Sequence, residues 1–389
     1  MAPFFVAFFL QKTDTWAAMK KLTPLKNEPY VMLGTSAGVP DLLYATGFDA
    51  PDPVAAVRWP DGRVQLLVGR MEYGRAARQA RGCEVASADT LGMPAGSSSP
   101  EALLAAVVAR SGAASVRADG AFPLGAAVAL EKAGVRVRVA PRGPLAAARM
   151  VKTPDELRRI RAAQRAARAA ERALGAAIRS ADVGPGGALW RDGRPFTSER
   201  ARALVRETLL SRGAMDFEGS IVAGGRQAAD PHEAGRGALR AGEWIVADVF
   251  PRMLATGYWG DMTRTFAHGR PDAARRRMYE TVARAQRLAL SLVRPGALGR
   301  DVHRAVADFF VREGWETGTD ADGRAHGFFH GLGHGVGLEI HEEPRLSPSG
   351  GELAPGMVVS VEPGLYYPEL GGVRIEDLVV VTETGCAVL

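Results

Sequence analysis

Residues 330–341 read His-Gly-Leu-Gly-His-Gly-Val-Gly-Leu-Glu-Ile-His, and of the 7 histidines in the chain, His326, His330, His334 and His341 fall in this stretch or just before it. Imidazole binds metals and carries protons near neutral pH, so this is the first place to look for chemistry. So many glycines disfavour a helix, since each costs about 1 kcal/mol relative to alanine. The spacing predicts extended chain, with His330, Leu332 and His334 on one face and glycines that let a backbone or ligand approach closely. Taken alone, the stretch reads equally well as a glycine-rich loop with satisfied histidines.

Carboxylates in apolar strands are the second signal. Trp244-Ile245-Val246-Ala247-Asp248-Val249 carries one, and Asp261-Met262-Thr263-Arg264-Thr265-Phe266 opens on another. The run Met357 to Gly364 ends near Glu362, and Val373 to Val381 carries Glu376 as part of one predicted strand. Charged side chains are rarely buried unpaired, yet each run alone fits a carboxylate that meets water or an arginine. Together, Asp248, Asp261, Glu362, Glu376 and His334 suggest a shared centre. Carboxylates about 4 Å apart repel by roughly 4 kcal/mol per pair at an effective dielectric of 20, and two divalent ions would neutralise four of them. Oxygen-rich ligation with one imidazole and no sulfur favours Mn²⁺, with Co²⁺, Fe²⁺ and Zn²⁺ as alternatives. Two such ions activate water and polarise a carbonyl.

The elements that must position these groups follow from composition and periodicity. The chain has 389 residues, 47% hydrophobic and 24% charged, which is enough for two domains with their own cores. A net charge of +6 is mild, and the arginines are spread along helical charge patterns, so nucleic-acid binding is not expected. Only Cys83 and Cys386 occur, which excludes a disulfide framework or Cys-x-x-Cys metal site and favours a reducing cytoplasm. The apolar run Pro3 to Leu10 lacks a preceding basic residue and is too short to span a bilayer. It reads as an extension before Met19, an edge strand or a partner contact.

From Pro29 to Val139 strand and helix signals alternate. A strand at Tyr30 to Leu33 precedes a hairpin over Val54 to Val68 that turns at Pro60-Asp61-Gly62. Helices are predicted over Pro100 to Arg110 and Ala121 to Ala133, each followed by a strand. Gly34-Thr35-Ser36-Ala37-Gly38 matches the nucleophile-elbow pattern, but small residues in a strand-to-loop turn explain it without chemistry. Past the connection at Ala140 to Met150, Thr153-Pro154-Asp155-Glu156 is a capping box. It starts a helix whose stripe runs through Leu157, Ile160, Ala163, Ala167, Ala170, Leu174 and Ile178. Further helices are predicted over Ser198 to Arg212, Pro271 to Val293 and Gly299 to Glu313, and Gly184 to Thr197 reads as a surface loop or small hairpin.

These blocks resemble the pita-bread metallopeptidases, in particular the branch of Xaa-Pro aminopeptidases and prolidases. The resemblance rests on Asp261 to Phe266, Gly333-His334-Gly335 with His341-Glu342-Glu343-Pro344, Glu362-Pro363-Gly364 and Arg374-Ile375-Glu376-Asp377. Leu43 to Phe48 and Met150 to Glu156 support it more weakly. It implies an extension over 1–25, an α/β creatinase-like domain over 26–148 and an α+β catalytic domain over 149–389 with a curved, mostly antiparallel sheet. It further implies that Asp248 chelates one metal, that Asp261 and Glu376 bridge both, and that His334 and Glu362 complete the other. Glu362 would also hold and deprotonate the bridging water, His232 would contact substrate, and His341 would steady the tetrahedral intermediate. His330 and Arg374 resemble the family's supporting and carboxylate-side residues, leaving His268, His303 and His326 as structural or surface positions.

One departure is visible: Val249-Phe250-Pro251-Arg252 follows Asp248 where the family commonly has a glycine and a tighter turn. This predicts a longer hairpin loop over the site. The implied activity is hydrolysis of the bond between an N-terminal residue and proline in dipeptides or short peptides, by a cytoplasmic homodimer with no membrane or nucleic-acid partner. The competing expectations are a broader-specificity or methionine aminopeptidase, a metal-free creatinase-type hydrolase and a non-catalytic paralogue; an intact set of five ligands weighs against the last two.

Overall fold

The computed structural model describes residues 28–94, 99–140 and 143–389, so the Pro3 to Leu10 run and Met19 lie outside the described residues. The chain divides into two compact units, the first ending at Arg149 and the second starting at Met150.

The first unit is a mixed sheet with helices. Its strands are β1 (Tyr30–Gly34), β2 (Val54–Arg58), β3 (Val64–Leu67), β4 (Glu84–Ala86), β5 (Ser115–Ala118) and β6 (Arg136–Val139), in the order β4-β3-β2-β1-β5-β6. The antiparallel hairpin β2–β3 turns where the sequence predicts, with Gly62 at a φ of 92° that a side chain would strain. The helices are α1 (Pro40–Thr46), α2 (Arg70–Gln79), α3 (Pro100–Arg110) and α4 (Leu124–Lys132). Val31, Val57, Leu67, Leu104, Val108, Val116 and Leu130 fill the core. Ser36 is buried and ties two backbone segments together, donating to the Phe48 carbonyl at 2.8 Å and accepting from the Ala50 N–H at 2.7 Å. Its hydroxyl is a fastener.

The second unit opens with α5 (Pro154–Arg179), whose Thr153 and Glu156 make both bonds of the capping box. Ala167, Ala170, Leu174 and Ile178 of its small-residue stripe pack with Ile245, Ala247 and Val249, so the helix lies close against a sheet. That sheet has the order β7 (Ile221–Gly224), β8 (Ile245–Val249) and β9 (Met262–Phe266), all antiparallel. α6 (Ser198–Leu210) packs in the same cluster, and Asp182–Val183, Leu189–Arg191 and Arg194–Pro195 make a small meander between the two helices. α7 (Ala273–Leu292) and α8 (Gly299–Arg312) cover a second apolar cluster. Against it lies an antiparallel sheet ordered β11 (Glu342–Leu346), β10 (Gly333–Gly335), β12 (Val358–Val361), β15 (Asp377–Val381) and β16 (Cys386–Val388). A separate hairpin joins β13 (Gly364–Tyr367) to β14 (Gly371–Arg374).

Two expectations change. Val373 to Val381 is two strands, because β14 pairs with β13 while β15 pairs with β12 and β16, and the chain crosses between partners at Ile375-Glu376. The histidine stretch is strand only at Gly333–Gly335, and Leu332 turns into the apolar core while His330 and His334 reach polar partners. A side chain at Gly333 would collide with the backbone of Ser360, so glycine there is a packing requirement.

Candidate metal centre

Alternation along β8 and β9 builds one half of the centre. Asp248 faces Thr263 across the ladder, and Asp261 lies two residues before Thr263, so the three side chains share the face opposite the one packed on α5. The other half comes from β10, the residue that follows β12 and the crossing between β14 and β15, which supply His334, Glu362 and Glu376. Asp261, His334 and Glu376 each offer one ligand atom within 4.8 Å of the others. His334 Nε2 lies 3.2 Å from Glu362 Oε1 and 3.6 Å from Asp261 Oδ2. Asp248 is held by Arg374, whose Nη2 donates to Asp248 Oδ2 at 2.6 Å.

The surrounding hydrogen bonds fix these groups in orientation. A carbonyl can only accept, so the 3.1 Å contact from His334 Nδ1 to the Gly335 oxygen requires a proton on Nδ1 and turns Nε2 toward the carboxylates. By the same logic His330 Nδ1 donates to the Gly331 carbonyl at 2.7 Å, and its Nε2 accepts from Tyr366 Oη at 3.0 Å. Tyr366 in turn accepts from Arg374 Nη1 at 2.9 Å. Arg374 Nε donates to Thr263 Oγ1 at 3.1 Å, and that hydroxyl donates to Glu376 Oε2 at 2.7 Å. Ser360 Oγ accepts from the His334 N–H at 3.0 Å and donates to Glu362 Oε1 at 3.0 Å.

Electrostatics show how well these residues suit a cation. Burial, with the charges of Glu376, Asp248 and Glu362, pushes the Asp261 carboxyl well above the usual range. Burial with Glu362 and Asp248 does the same to Glu376. Asp248 is raised by burial and by Glu362, against Arg374. Burial also opposes ionisation of Glu362, but the bond to His334 and the charges of His334, His330 and Arg374 outweigh it and hold the carboxyl at about 2. Asp248 Oδ1 and Glu376 Oε1 are buried with no hydrogen-bond partner among the described residues. Each such orphan costs about 1–3 kcal/mol, and a cation would offset both the orphans and the repulsion. The donor set, oxygen-rich with one imidazole, fits divalent metal ions.

The His341 ring is stacked edge-on 4.4 Å from the His334 ring, and burial with the charges of His334, Arg345 and His232 lowers its pKa to about 4. His232 is exposed, and its charge acts on His341. His268 contacts the Ala181 carbonyl at 3.0 Å, while the rings of His303 and His326 pack beside Phe328 and Tyr367. The long connection after Asp248 forms its own small pairing, Arg252–Met253 with Ala214–Met215.

Several participants were not singled out from the sequence. Tyr366 and Ser360 carry ordinary strand signals, and nothing local marks them. Arg345 faces His334 across the β10–β11 ladder and makes no ion pair among the described residues. Glu171 could have been noticed, as an acid inside an alanine stripe. Its two carboxyl oxygens are buried without partners among the described residues, and burial together with Asp248 and Glu376, against Arg264, pushes its pKa well up.

The sequence pattern of metallopeptidase family M24 matches residues 158–383. A probable dipeptidase PepE of Mycobacterium tuberculosis is 34% identical over 192 residues, covering 49% of this chain and 48% of that one. A Xaa-Pro dipeptidase of Pyrococcus furiosus is 36% identical over 168 residues, covering 43% of this chain and 45% of its own length. The chain thus spans about half the length of the curated relatives it matches. A Xaa-Pro dipeptidase structure from Bacillus anthracis superposes with a TM-score of 0.79 over 96% of this chain and 97% of that one, at 24% identity, which is a likeness of fold.

Proposed function

This chain belongs to metallopeptidase family M24 and has the family's pita-bread fold, and from that we propose that it hydrolyses the peptide bond before proline in dipeptides or short peptides, using two divalent ions. The observation that carries the reading is the convergence of Asp261, His334 and Glu376 within 4.8 Å, beside Asp248 and Glu362. In this reading Asp248, Asp261, His334, Glu362 and Glu376 hold the ions, with Mn²⁺ favoured by the donor set. Bound there, the ions would lower the pKa of water and polarise the scissile carbonyl.

The chain's own groups do the rest. Glu362, which follows β12 and lies 3.2 Å from His334, accepts the proton that the attacking water gives up. His341, neutral at physiological pH, donates an N–H to the oxygen that gains charge as the carbonyl is attacked. His232 lies on the exposed side, where it meets the incoming peptide. His330 and Tyr366 keep Arg374 in place against Asp248. Arg345, on the His334 face and without an ion pair among the described residues, suits the C-terminal carboxylate of a short substrate and supports preference for dipeptides.

Two free cysteines favour a reducing cytoplasm, and no described helix is long and apolar enough to cross a membrane. We take the homodimer of the prolidase branch as the working assembly. The test is a panel of peptides from dipeptides to pentapeptides, with proline or alanine second, offered to protein loaded with Mn²⁺. Cleavage before proline is expected; cleavage of the alanine series alone would replace the proline reading with a broader aminopeptidase, and no cleavage at all would end the hydrolase reading.

A further inference from the structure

The apolar stripe of α5 is interrupted by a glutamine. Gln164 is 1% exposed, seven residues before Glu171 on the same side of the helix, and unlike Glu171 it uses both ends of its side chain. Its Nε2 donates to the Asp261 carbonyl at 2.6 Å, and its Oε1 accepts from the Asp261 N–H at 2.9 Å. A side-chain amide here makes the two bonds that a neighbouring strand would make.

The reason lies in the edge of β9. Backbone groups alternate in direction along a strand, and the Thr263 carbonyl, two residues on, accepts from the Glu376 N–H at 3.1 Å. That edge therefore holds Glu376 at Thr263, but none of the described strands reaches it at Asp261. α5 fills the gap. Gly260 makes this possible, because a Cβ there would sit 2.7 Å from the Ala163 backbone and push the chain off the helix. Without the amide, two buried backbone groups of Asp261 would lack partners, and the residue would be free to turn its carboxylate out of the centre.

We propose that Gln164 is a positioning residue that sets the Asp261 carboxylate for metal binding by clamping its backbone to α5. This rests on the reading of Asp261 as a metal ligand. An outer partner of this kind typically contributes 10–100-fold to metal affinity.

The test is Mn²⁺ binding to the full chain by calorimetry, with no substrate present. Gln164→Met keeps the length and burial but removes both bonds, and should weaken Mn²⁺ affinity by about 10–100-fold. Gln164→Asn keeps the amide but is too short to span the gap; it should also bind more weakly, and it serves if the methionine variant does not fold. Leu174→Ala, almost three turns further along the stripe, controls for loss of helix packing: it should lower the melting temperature and leave the affinity unchanged. Equal affinity in Gln164→Asn or Gln164→Met and in the unaltered chain overturns the clamp, as does an equal loss in Leu174→Ala. No Mn²⁺ binding by the unaltered chain overturns the metal reading itself, and the clamp with it.

Discussion

Arg374 and Asp248, 126 residues apart, are joined by a bond from Nη2 to Oδ2 of 2.6 Å in which the arginine side chain is 4% exposed. The same guanidinium reaches Thr263 and Tyr366, so one buried cation ties β14 to β8, β9 and β13. Among the described residues it is the only arginine or lysine that bonds a carboxylate of the proposed ligand set. Removing one member of a buried pair typically costs about 3–5 kcal/mol. Arg374→Met should destabilise the chelated protein by about that much, and bound Mn²⁺ should recover part of the loss by supplying charge to Asp248. Urea unfolding with and without the metal measures both.

Crowded carboxylates predict an inverse result at the ligands themselves. Burial first, and then repulsion from Glu362, Asp248 and, for Asp261, Glu376, push the Asp261 and Glu376 pKa values up. Glu376→Gln should therefore stabilise the metal-free protein by about 1–3 kcal/mol while cutting hydrolysis by more than the ~10–100-fold of an outer-shell change. Lower stability of the variant in chelator would argue that the carboxylates are not in mutual repulsion. A melting curve alongside a rate assay decides it.

Substrate length should depend on Arg345. A charge-assisted bond to a terminal carboxylate contributes about 1.5–3 kcal/mol, so Arg345→Leu should raise KM for Xaa-Pro dipeptides by about 10–100-fold, with kcat little changed and pentapeptides less affected. An equal effect on both substrate lengths would remove Arg345 from carboxylate recognition.

Glu171 gives a pH signature. Its pKa in the folded chain lies above the ordinary value of 4.5, because burial disfavours the charge and Asp248 and Glu376 add to the penalty. The folded state then binds more protons than the unfolded one, so stability is full below about pH 4.5 and falls as pH rises through the elevated folded value. Glu171→Met should remove that slope and make the chelated protein about 1–3 kcal/mol more stable at neutral pH, with little gain below pH 4.5. Unfolding at pH 4 and pH 7.5 separates the two.

The strongest local signals translate directly into structure. Thr153 and Glu156 start α5 where the capping pattern places them, and the turn at Gly62 follows from its residues. The ladder between β8 and β9 spans the two apolar runs that hold Asp248 and precede from Asp261. The broken strand at Glu376 was not legible, because valine and isoleucine on both sides of it satisfy a strand pattern whichever sheet they join. Only competition among partners, β13 for one half and β12 with β16 for the other, decides where the chain crosses.

By itself the sequence determined the chemical types: four acids set in apolar strands and a histidine among glycines, a combination stable in a folded interior only with added positive charge. The tertiary structure decided how those groups are held. The backbone of Asp261 is met by a helix glutamine, Glu376 sits at a crossing between sheets, and Arg374 lies against Asp248. Propensity and periodicity act over a few residues, whereas these bonds join positions about a hundred apart, and they exist only once separate elements have packed.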